Sequence, residues 1–309
     1  MALERPITQT AIIGCGAVGA AWAALFSANG IAVSVHDPMI GTESELAARI
    51  APAREALREL GMSGEGSVRL ADSIRQACHE CQFVQESTRE VLEEKAKIIA
   101  ELDDVAPADA IIASSTSSLL WSDLVAETRL PGRIIIAHPF NPAHLIPLVE
   151  LFGSSPEVIE RARAFFVGLG KVPIVLKREA QGHIANRLSS ALFREAVHLV
   201  IEGIASVEDV DTALREGPGL RWSIVGVHQG YHLGAGRGGI RAYIEHLGNS
   251  QKRRWDDLGR PDLTPEVRER LILAIEAAYG DRPVETMEAE RDAALISRLR
   301  VRGETPEPS

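Results

Sequence analysis

Residues 9–37 read QTAIIGCGAVGAAWAALFSANGIAVSVHD, and this stretch decides the fold. An apolar run, QTAII, leads into the glycine-rich segment GCGAVG (14–19). The alanine-rich residues that follow have a helical composition and end at a glycine, and IAVSVHD (31–37) is a second apolar run. Strand, glycine turn, helix and strand within about thirty residues predict the first βαβ unit of a doubly wound, Rossmann-like sheet.

The glycine spacing GxGxxG predicts a dinucleotide site, because it stands between a predicted strand and a predicted helix. Gly14, Gly16 and Gly19 let backbone N–H groups approach a pyrophosphate at the helix N-terminus. Asp37 ends the second strand, where a carboxylate accepts the ribose hydroxyls and repels a 2′-phosphate. The pattern therefore favours NAD over NADP. FAD and a Rossmann-like fold without a cofactor are the less favoured alternatives.

The composition is that of a globular protein large enough for two domains. The chain has 309 residues, 45% hydrophobic and 25% charged, with a net charge of −10. Such a charge disfavours nucleic acid and anionic membranes as general partners. The sequence MALERPITQT has no signal-peptide core and no run has transmembrane length, so with only three cysteines we expect a cytoplasmic protein. Cys78 and Cys81 have CxxC spacing but no second ligand pair, so no metal site is expected.

Strand and helix patterns alternate up to about residue 180, and a purely helical periodicity follows. We therefore predict a Rossmann-like NAD-binding domain over 1–182, an all-α domain for substrate binding and dimerisation over 183–302, and a disordered tail over 303–309. Within the first domain, SDLVAETRL (122–130) is predicted as a helix with Ser122 as its N-cap.

A histidine and a glutamate are the candidate acid–base groups. His138 ends the apolar run RIIIAH and precedes PFNP, while Glu150 ends a second apolar run, LIPLVE, twelve residues later. Two adjacent strands would bring the side chains together, and a carboxylate on one imidazole nitrogen leaves the other basic and oriented. The alternative is a core histidine with its hydrogen bonds satisfied.

These motifs together resemble the 3-hydroxyacyl-CoA dehydrogenase superfamily. The matching segments are GCGAVG, QESTREVLEEK, SSTSSL, HPFNP, PLVE and GHIANRL, in this order. The segment EGPGLRWSIVG is similar to the short branch that contains lambda-crystallin, L-gulonate 3-dehydrogenase and bacterial L-carnitine dehydrogenase. The resemblance implies NAD-dependent oxidation of the C3 hydroxyl of a small L-3-hydroxy acid, with 3-hydroxybutyryl-CoA dehydrogenation and a crystallin-like structural protein as alternatives.

The resemblance also implies roles for individual residues. It implies that His138 is the catalytic base, that Glu150 orients it, and that Ser117 and Asn186 hydrogen-bond the reacting oxygen, although a neighbouring hydroxyl could replace Ser117. Further cofactor contacts are implied for the amides of Ala17 and Val18 and for Glu90 and Lys95. The alternative for Glu90 and Lys95 is a solvated helix pair.

The substrate pocket is expected to involve Phe140, His144 and Trp222. A carnitine-like substrate requires aromatic or acidic groups around its quaternary ammonium. A gulonate-like polyol acid requires hydrogen-bond donors, for which Arg221, His144 and Ser118 are candidates. The family resemblance implies a homodimer formed through the helical domain, and a buried intrachain core explains its apolar faces equally well.

Overall fold

The computed structural model describes residues 6–304, which form two compact units. The first comprises the chain up to Arg187 and the segment from Glu288 onward, and the second spans Leu188–Met287. The boundary that we place between residues 182 and 183 stays a prediction. Of the predicted tail, 303–309, the first two residues end the last helix and residues 305–309 lie outside the described part of the chain.

The first unit contains one eight-stranded sheet, which confirms the predicted fold class. Its strand order is β3-β2-β1-β4-β5-β6-β7-β8. The strands are β1 (Gln9–Ile13), β2 (Ala32–His36), β3 (Val68–Leu70), β4 (Phe83–Glu86), β5 (Ile111–Ser114), β6 (Ile134–Pro139), β7 (Leu148–Phe152) and β8 (Val172–Val175). The order turns at β1 and β4, which makes this the point of the sheet where doubly wound folds bind their ligands.

Helices connect the strands, and further helices form the second unit. Those between strands are α1 (Ala17–Ala28), α2 (Glu43–Glu59), α3 (Ile74–Ala77), α4 (Leu92–Val105), α5 (Trp121–Leu124) and α6 (Pro156–Gly168). The later ones are α7 (Ala185–Ile201), α8 (Val207–Glu216), α9 (Pro218–Trp222), α10 (Val227–Leu233), α11 (Gly239–Asp257), α12 (Pro265–Tyr279) and α13 (Val284–Glu304), of which α13 belongs to the first unit from Glu288 onward. No helix of the described chain is both long and apolar enough to span a membrane.

The sheet is covered on both faces, as its strand pattern requires. Successive side chains of a strand point to opposite faces. Phe83 of β4 joins the core under α1, α2 and α6, whereas the next residue, Val84, joins the core under α3 and α4. Ala137 of β6 likewise belongs to the first core, so its neighbour His138 faces the other side.

One pair of strands departs from the parallel arrangement. β7 runs antiparallel to β6, and the eight-residue connection 140–147 explains why. A parallel return needs a crossover of a dozen or more residues, usually with a helix. The short connection therefore forces the chain to turn straight back, and the register places His138 directly opposite Glu150.

The prediction for Ser122 is wrong. The helix there is a single turn that begins at Trp121 and ends at Leu124, so Ser122 lies inside it. The backbone N–H and the hydroxyl of Ser122 both donate to the carboxylate of Glu179, at 3.0 and 2.9 Å. Ser122 is therefore held as a donor to a distant acid, and it does not accept a backbone N–H as an N-cap does.

Candidate active site

The glycine-rich turn between β1 and α1 has the shape that a pyrophosphate site requires. Gly14 has φ +85°, and a Cβ on Gly19 would stand 1.9 Å from the carbonyl oxygen of Gly14. Both glycines are therefore needed by the turn itself. A Cβ on Gly16, in contrast, would meet no protein atom within 4 Å, so this face of the loop is open to a ligand.

The N-terminus of α1 suits an anion. Gly16 caps the helix without a side-chain hydrogen bond, and the first turn contains no acidic residue. The backbone N–H groups of Ala17 and Val18 belong to this turn, where the helix dipole favours negative charge. The residues present thus fit the pyrophosphate of NAD.

Asp37 is fixed at the end of β2 by two backbone donors. Its carboxylate oxygens accept from the N–H of Cys15 at 2.7 Å and from that of Met39 at 2.8 Å. Each carboxylate oxygen keeps a further lone pair. Asp37 therefore stands beside the glycine turn with acceptors that suit two ribose hydroxyls.

The structure brings His138 and Glu150 together as the sequence analysis expects. The Nδ1 of His138 lies 2.8 Å from the Oε2 of Glu150, and both side chains are buried. The second oxygen, Oε1, accepts from the backbone N–H groups of Ile184 and Ala185 at 2.8 and 3.0 Å. Burial raises the pKa of the Glu150 carboxyl, but the hydrogen bonds from His138, Ala185 and Ile184 outweigh it and the net pKa is lowered.

An ionised Glu150 fixes the tautomer of its partner. Because the carboxylate only accepts, Nδ1 of His138 carries the proton that is donated to it. The other ring nitrogen, Nε2, is then left as a base. This arrangement can remove a proton from a hydroxyl group and stabilise the imidazolium that results.

Glu90 organises the serine loop that follows β5. Its Oε1 accepts from the hydroxyl of Thr116 at 2.7 Å and from the backbone N–H groups of Ser117 and Ser118 at 2.8 and 2.9 Å. The Ser117 hydroxyl also donates to it at 3.1 Å. Burial raises the pKa of Glu90, whereas these hydrogen bonds and the charge of Lys95 lower it by more. Glu90 therefore holds the loop that presents Ser117.

Lys95 is buried, so the interpretation of this residue as part of a solvated pair is wrong. Its Nζ lies 2.8 and 3.1 Å from the two carboxylate oxygens of Glu86 and 3.7 Å from Glu90. Glu86 is fully buried at the end of β4 and also accepts from the hydroxyl of Ser114 at 2.6 Å. The contact of Lys95 and Glu90 with the cofactor stays a prediction.

The sequence analysis missed Glu86 and His183. The sequence does contain a signal for Glu86: this acid ends the apolar run QFVQE, and a lysine, Lys95, follows nine residues later. His183 lies within GHIANRL, where attention fell on Asn186, whose Nδ2 donates to the carbonyl oxygen of Ser117 at 3.2 Å. His183 is itself buried and donates to the same loop, at the carbonyl oxygen of Thr116.

Two of the expected substrate residues lie beyond β6. Phe140 is half-buried directly after this strand. His144 is also half-buried, its Nδ1 has no partner among the described residues, and burial lowers its pKa to about 4. The connection 140–147 is held by the buried Nζ of Lys171, which donates to the carbonyl oxygen of Ile146 at 2.9 Å and to that of Ala143.

Two further expected substrate residues belong to the helical unit. Arg221 is exposed and Trp222 is half-buried at the end of α9. Trp222 lines a largely apolar cavity of about 1010 Å³ in this unit. Three more aromatic rings line it as well: Tyr231, Tyr243 and Trp255.

Among residues 6–304 no group of three or more His, Cys, Asp or Glu side chains is arranged to hold a metal ion. Cys78 and Cys81 are free and buried, in the core under α3 and α4. In the described structure these two cysteines pack in the hydrophobic core.

Two domain models of one known family match this chain. The NAD-binding domain model of 3-hydroxyacyl-CoA dehydrogenase matches residues 9–180, and the C-terminal domain model of the same family matches residues 182–260. The chain belongs to the 3-hydroxyacyl-CoA dehydrogenase family. As a member of this family it is an NAD-dependent dehydrogenase that acts on a CH–OH group of a hydroxy acid.

Curated relatives cover nearly the whole chain. The L-carnitine dehydrogenase of Oceanobacillus iheyensis is 38% identical over 297 residues, which are 94% of this chain and 97% of the relative. That of Streptomyces griseus is 38% identical over 306 residues, 97% of this chain and 91% of the relative.

Solved structures of other dehydrogenases share the fold. The 5-formyl-3-hydroxy-2-methylpyridine 4-carboxylic acid 5-dehydrogenase, an NAD⁺-dependent dismutase, matches with a TM-score of 0.77 at 27% identity. The match covers 96% of this chain and 98% of that chain. The (S)-3-hydroxybutyryl-CoA dehydrogenase of Ralstonia eutropha matches with a TM-score of 0.61 at 26% identity, over 69% of this chain and 78% of its own.

Proposed function

We propose that this chain oxidises the C3 hydroxyl of L-carnitine or of a closely similar small L-3-hydroxy acid. The observation that supports it most is the buried 2.8 Å hydrogen bond between His138 and Glu150. The relatives named L-carnitine dehydrogenase, at 36–38% identity, support the choice of substrate. The aromatic cavity around Trp222 offers ring faces of the kind that attract a quaternary ammonium group.

In the proposed mechanism Nε2 of His138 accepts the proton of the substrate hydroxyl. Glu150 keeps the ring in the productive tautomer and stabilises the imidazolium. Ser117 and Asn186 hold the reacting oxygen, and the loop of Ser117 is itself fixed by Glu90. Bound NAD supplies the hydride acceptor. General base catalysis of this type contributes about 10²–10⁴-fold to the rate.

The test measures NADH formation with NAD and three substrates: L-carnitine, L-gulonate and L-3-hydroxybutyryl-CoA. We expect turnover of L-carnitine with the highest kcat/KM. If kcat/KM were higher for L-gulonate or for the acyl-CoA substrate, that compound, and not L-carnitine, would be the preferred substrate. Binding of NAD without turnover of any of them would favour a structural, crystallin-like protein.

Two variants test the dyad. His138→Asn removes the base and should lower kcat by about 10²–10⁴-fold. Glu150→Gln keeps the shape and the acceptor for the α7 amides but loses the charge, and should lower kcat by about 10²-fold. Both should bind NAD as the parent does in a fluorescence titration. Parental kcat in Glu150→Gln would refute the role of the carboxylate.

We also propose that the protein is a homodimer and is cytoplasmic. Large apolar side chains are exposed throughout the helical unit, for example Ile224 at 73%, Trp255 at 64% and Leu188 at 61%. Four of its helices, α8, α9, α10 and α12, have no buried residue. A second copy would cover such surfaces. The three free cysteines support a reducing compartment.

A further inference from the structure

A second histidine lies against the catalytic histidine. The ring centroid of His183 is 5.1 Å from that of His138, with 50° between the two ring planes. His183 is 2% exposed, and its backbone has φ +50°, a conformation that costs a residue with a side chain more than it costs glycine. A strained, buried imidazole in such a place needs surroundings that hold it there.

One hydrogen bond shows which ring nitrogen of His183 carries a proton. Its Nε2 lies 3.0 Å from the carbonyl oxygen of Thr116. Because a carbonyl oxygen only accepts, Nε2 carries the proton. Burial lowers the pKa of His183, and together with the positive form of His138 it outweighs the hydrogen bond to Thr116 and the charges of Glu150 and Glu90, which raise the pKa. His183 is therefore a neutral ring with its proton on Nε2.

The residues around His183 connect the dyad to the serine loop. His183 binds the carbonyl of Thr116, and Thr116 in turn donates its hydroxyl to Glu90. The next two amides, of Ile184 and Ala185, bind Glu150. One short segment thus contacts the carboxylate that orients His138 and the loop that presents Ser117.

We propose that His183 is a positioning residue for the oxidation reaction. Through its Nε2–H it fixes the Thr116–Ser117 segment relative to His138, and as a neutral ring it stands beside His138 without opposing the imidazolium that forms when His138 accepts a proton. This inference rests on the proposed function, because it assigns to His183 the alignment of the base with the serine that holds the substrate oxygen. Misalignment of reacting groups by about 1 Å costs on the order of 10²-fold in rate.

Two variants separate hydrogen bonding from packing. His183→Phe keeps a ring against His138 but has no donor for Thr116. His183→Gln loses the ring but presents an amide N–H where Nε2–H lies. Positioning through the hydrogen bond predicts that Phe lowers kcat by about 10–100-fold and that Gln retains most of it. The KM for NAD should be unchanged in both.

A packing role predicts the reverse order, with kcat retained in His183→Phe and lost in His183→Gln, and that result would overturn the proposal. Circular dichroism and the melting temperature show whether each variant folds. Equal kcat in both folded variants and the parent would also overturn it.

Nitrogen NMR of the parent chain tests the same claim without turnover. Selective ¹⁵N-histidine labelling should show His183, identified by its absence in His183→Gln, as the neutral Nε2–H tautomer from pH 7 to pH 8. A protonated ring or the Nδ1–H tautomer in this range would overturn the proposal. If no hydroxy acid is oxidised, the proposed function fails, whereas this tautomer measurement still decides the state of His183.

Discussion

Asp37 is the residue that should decide between the two nicotinamide cofactors. It accepts two backbone N–H groups beside the glycine turn and remains a carboxylate that would face the adenosine ribose. We expect Asp37→Asn, which keeps the shape but not the charge, to lower the ratio of kcat/KM for NAD to that for NADP by about tenfold, or ~1.4 kcal/mol. Initial rates with both cofactors measure it. An unchanged ratio would contradict the assignment.

Lys171 should give the stability of the protein a distinct pH dependence. Burial lowers the pKa of Lys171 from 10.5 to about 7, so between these values the unfolded chain binds a proton that the folded chain lacks. Stability due to this group therefore rises with pH across that window and is reduced as the pH falls toward 7. Relative to Lys171→Met, the parent should gain about 1 kcal/mol per pH unit between pH 8 and 9.5.

Thermal melting of both proteins at matched concentration measures this difference. Lys177, which lies in the same unit, provides the control: Lys177→Met should leave the pH dependence of the parent unchanged. Parallel melting curves for the parent and Lys171→Met across the window would contradict the prediction.

At the scale of single residues, the sequence predicted the dyad but not what supports it. His138 and Glu150 lie twelve positions apart on neighbouring apolar runs, so local pattern was sufficient. Glu86 and His183 each have a distant partner: Ser114 is 28 positions from Glu86, and Thr116 is 67 from His183. Local pattern contains no information about such contacts, which arise only when the sheet is assembled.

At the scale of elements, the glycine turn before α1 allows a matched pair of substitutions. Gly19→Ala places a Cβ 1.9 Å from the Gly14 carbonyl oxygen, so it should destabilise the fold by about 1–3 kcal/mol. Gly16→Ala meets no protein atom within 4 Å and should fold normally. Its methyl group would lie on the open face of the loop, so we expect NAD binding to weaken.

Melting temperatures and NAD titrations of the two variants check this pair. Normal stability in Gly19→Ala, or parental NAD affinity in Gly16→Ala, would show that the turn does not act as described.

The elements themselves were largely predictable, and the direction of β7 is instructive. Apolar runs and glycine positions located the strands of the sheet. The antiparallel return followed from the length of connection 140–147, a criterion that the sequence analysis did not apply. Helix α5 ends at Leu124, earlier than its periodicity indicates, and the backbone N–H groups of Arg129 and Leu130 donate to the carboxylate of Asp103 instead of continuing the helix.

At the scale of the whole molecule, the exposed apolar surface of the helical unit predicts a dimer. Ile224→Glu should convert it to a monomer, because Ile224 is 73% exposed and a buried unpaired charge at an interface is unfavourable. Val167→Glu on α6 is the matched control, since Val167 is 50% exposed in the other unit and should leave the dimer intact. Sedimentation velocity distinguishes monomer from dimer for each variant. A dimeric Ile224→Glu would show that the surface around Ile224 is not the dimer interface.

The division of the molecule was less predictable than its fold class. The change from alternating to helical periodicity locates a boundary near residue 180, but the segment from Glu288 onward groups with the sheet. Helical periodicity reports only that a segment is amphipathic. It does not report which core the apolar face joins. Here Ile296 of α13 is buried with Ala56 and Leu145, so this helix packs against residues of the first unit.

The hairpin made by β6 and β7 has a consequence for how new substrates are acquired. The proton acceptor His138 and its counter-charge Glu150 face each other on the two paired strands of one hairpin, so the hairpin alone sets the distance between them. Insertions in the connections between other strands leave the pairing of His138 with Glu150 unchanged. Residues outside the hairpin that bind the substrate can therefore change while the His138–Glu150 pair keeps its geometry.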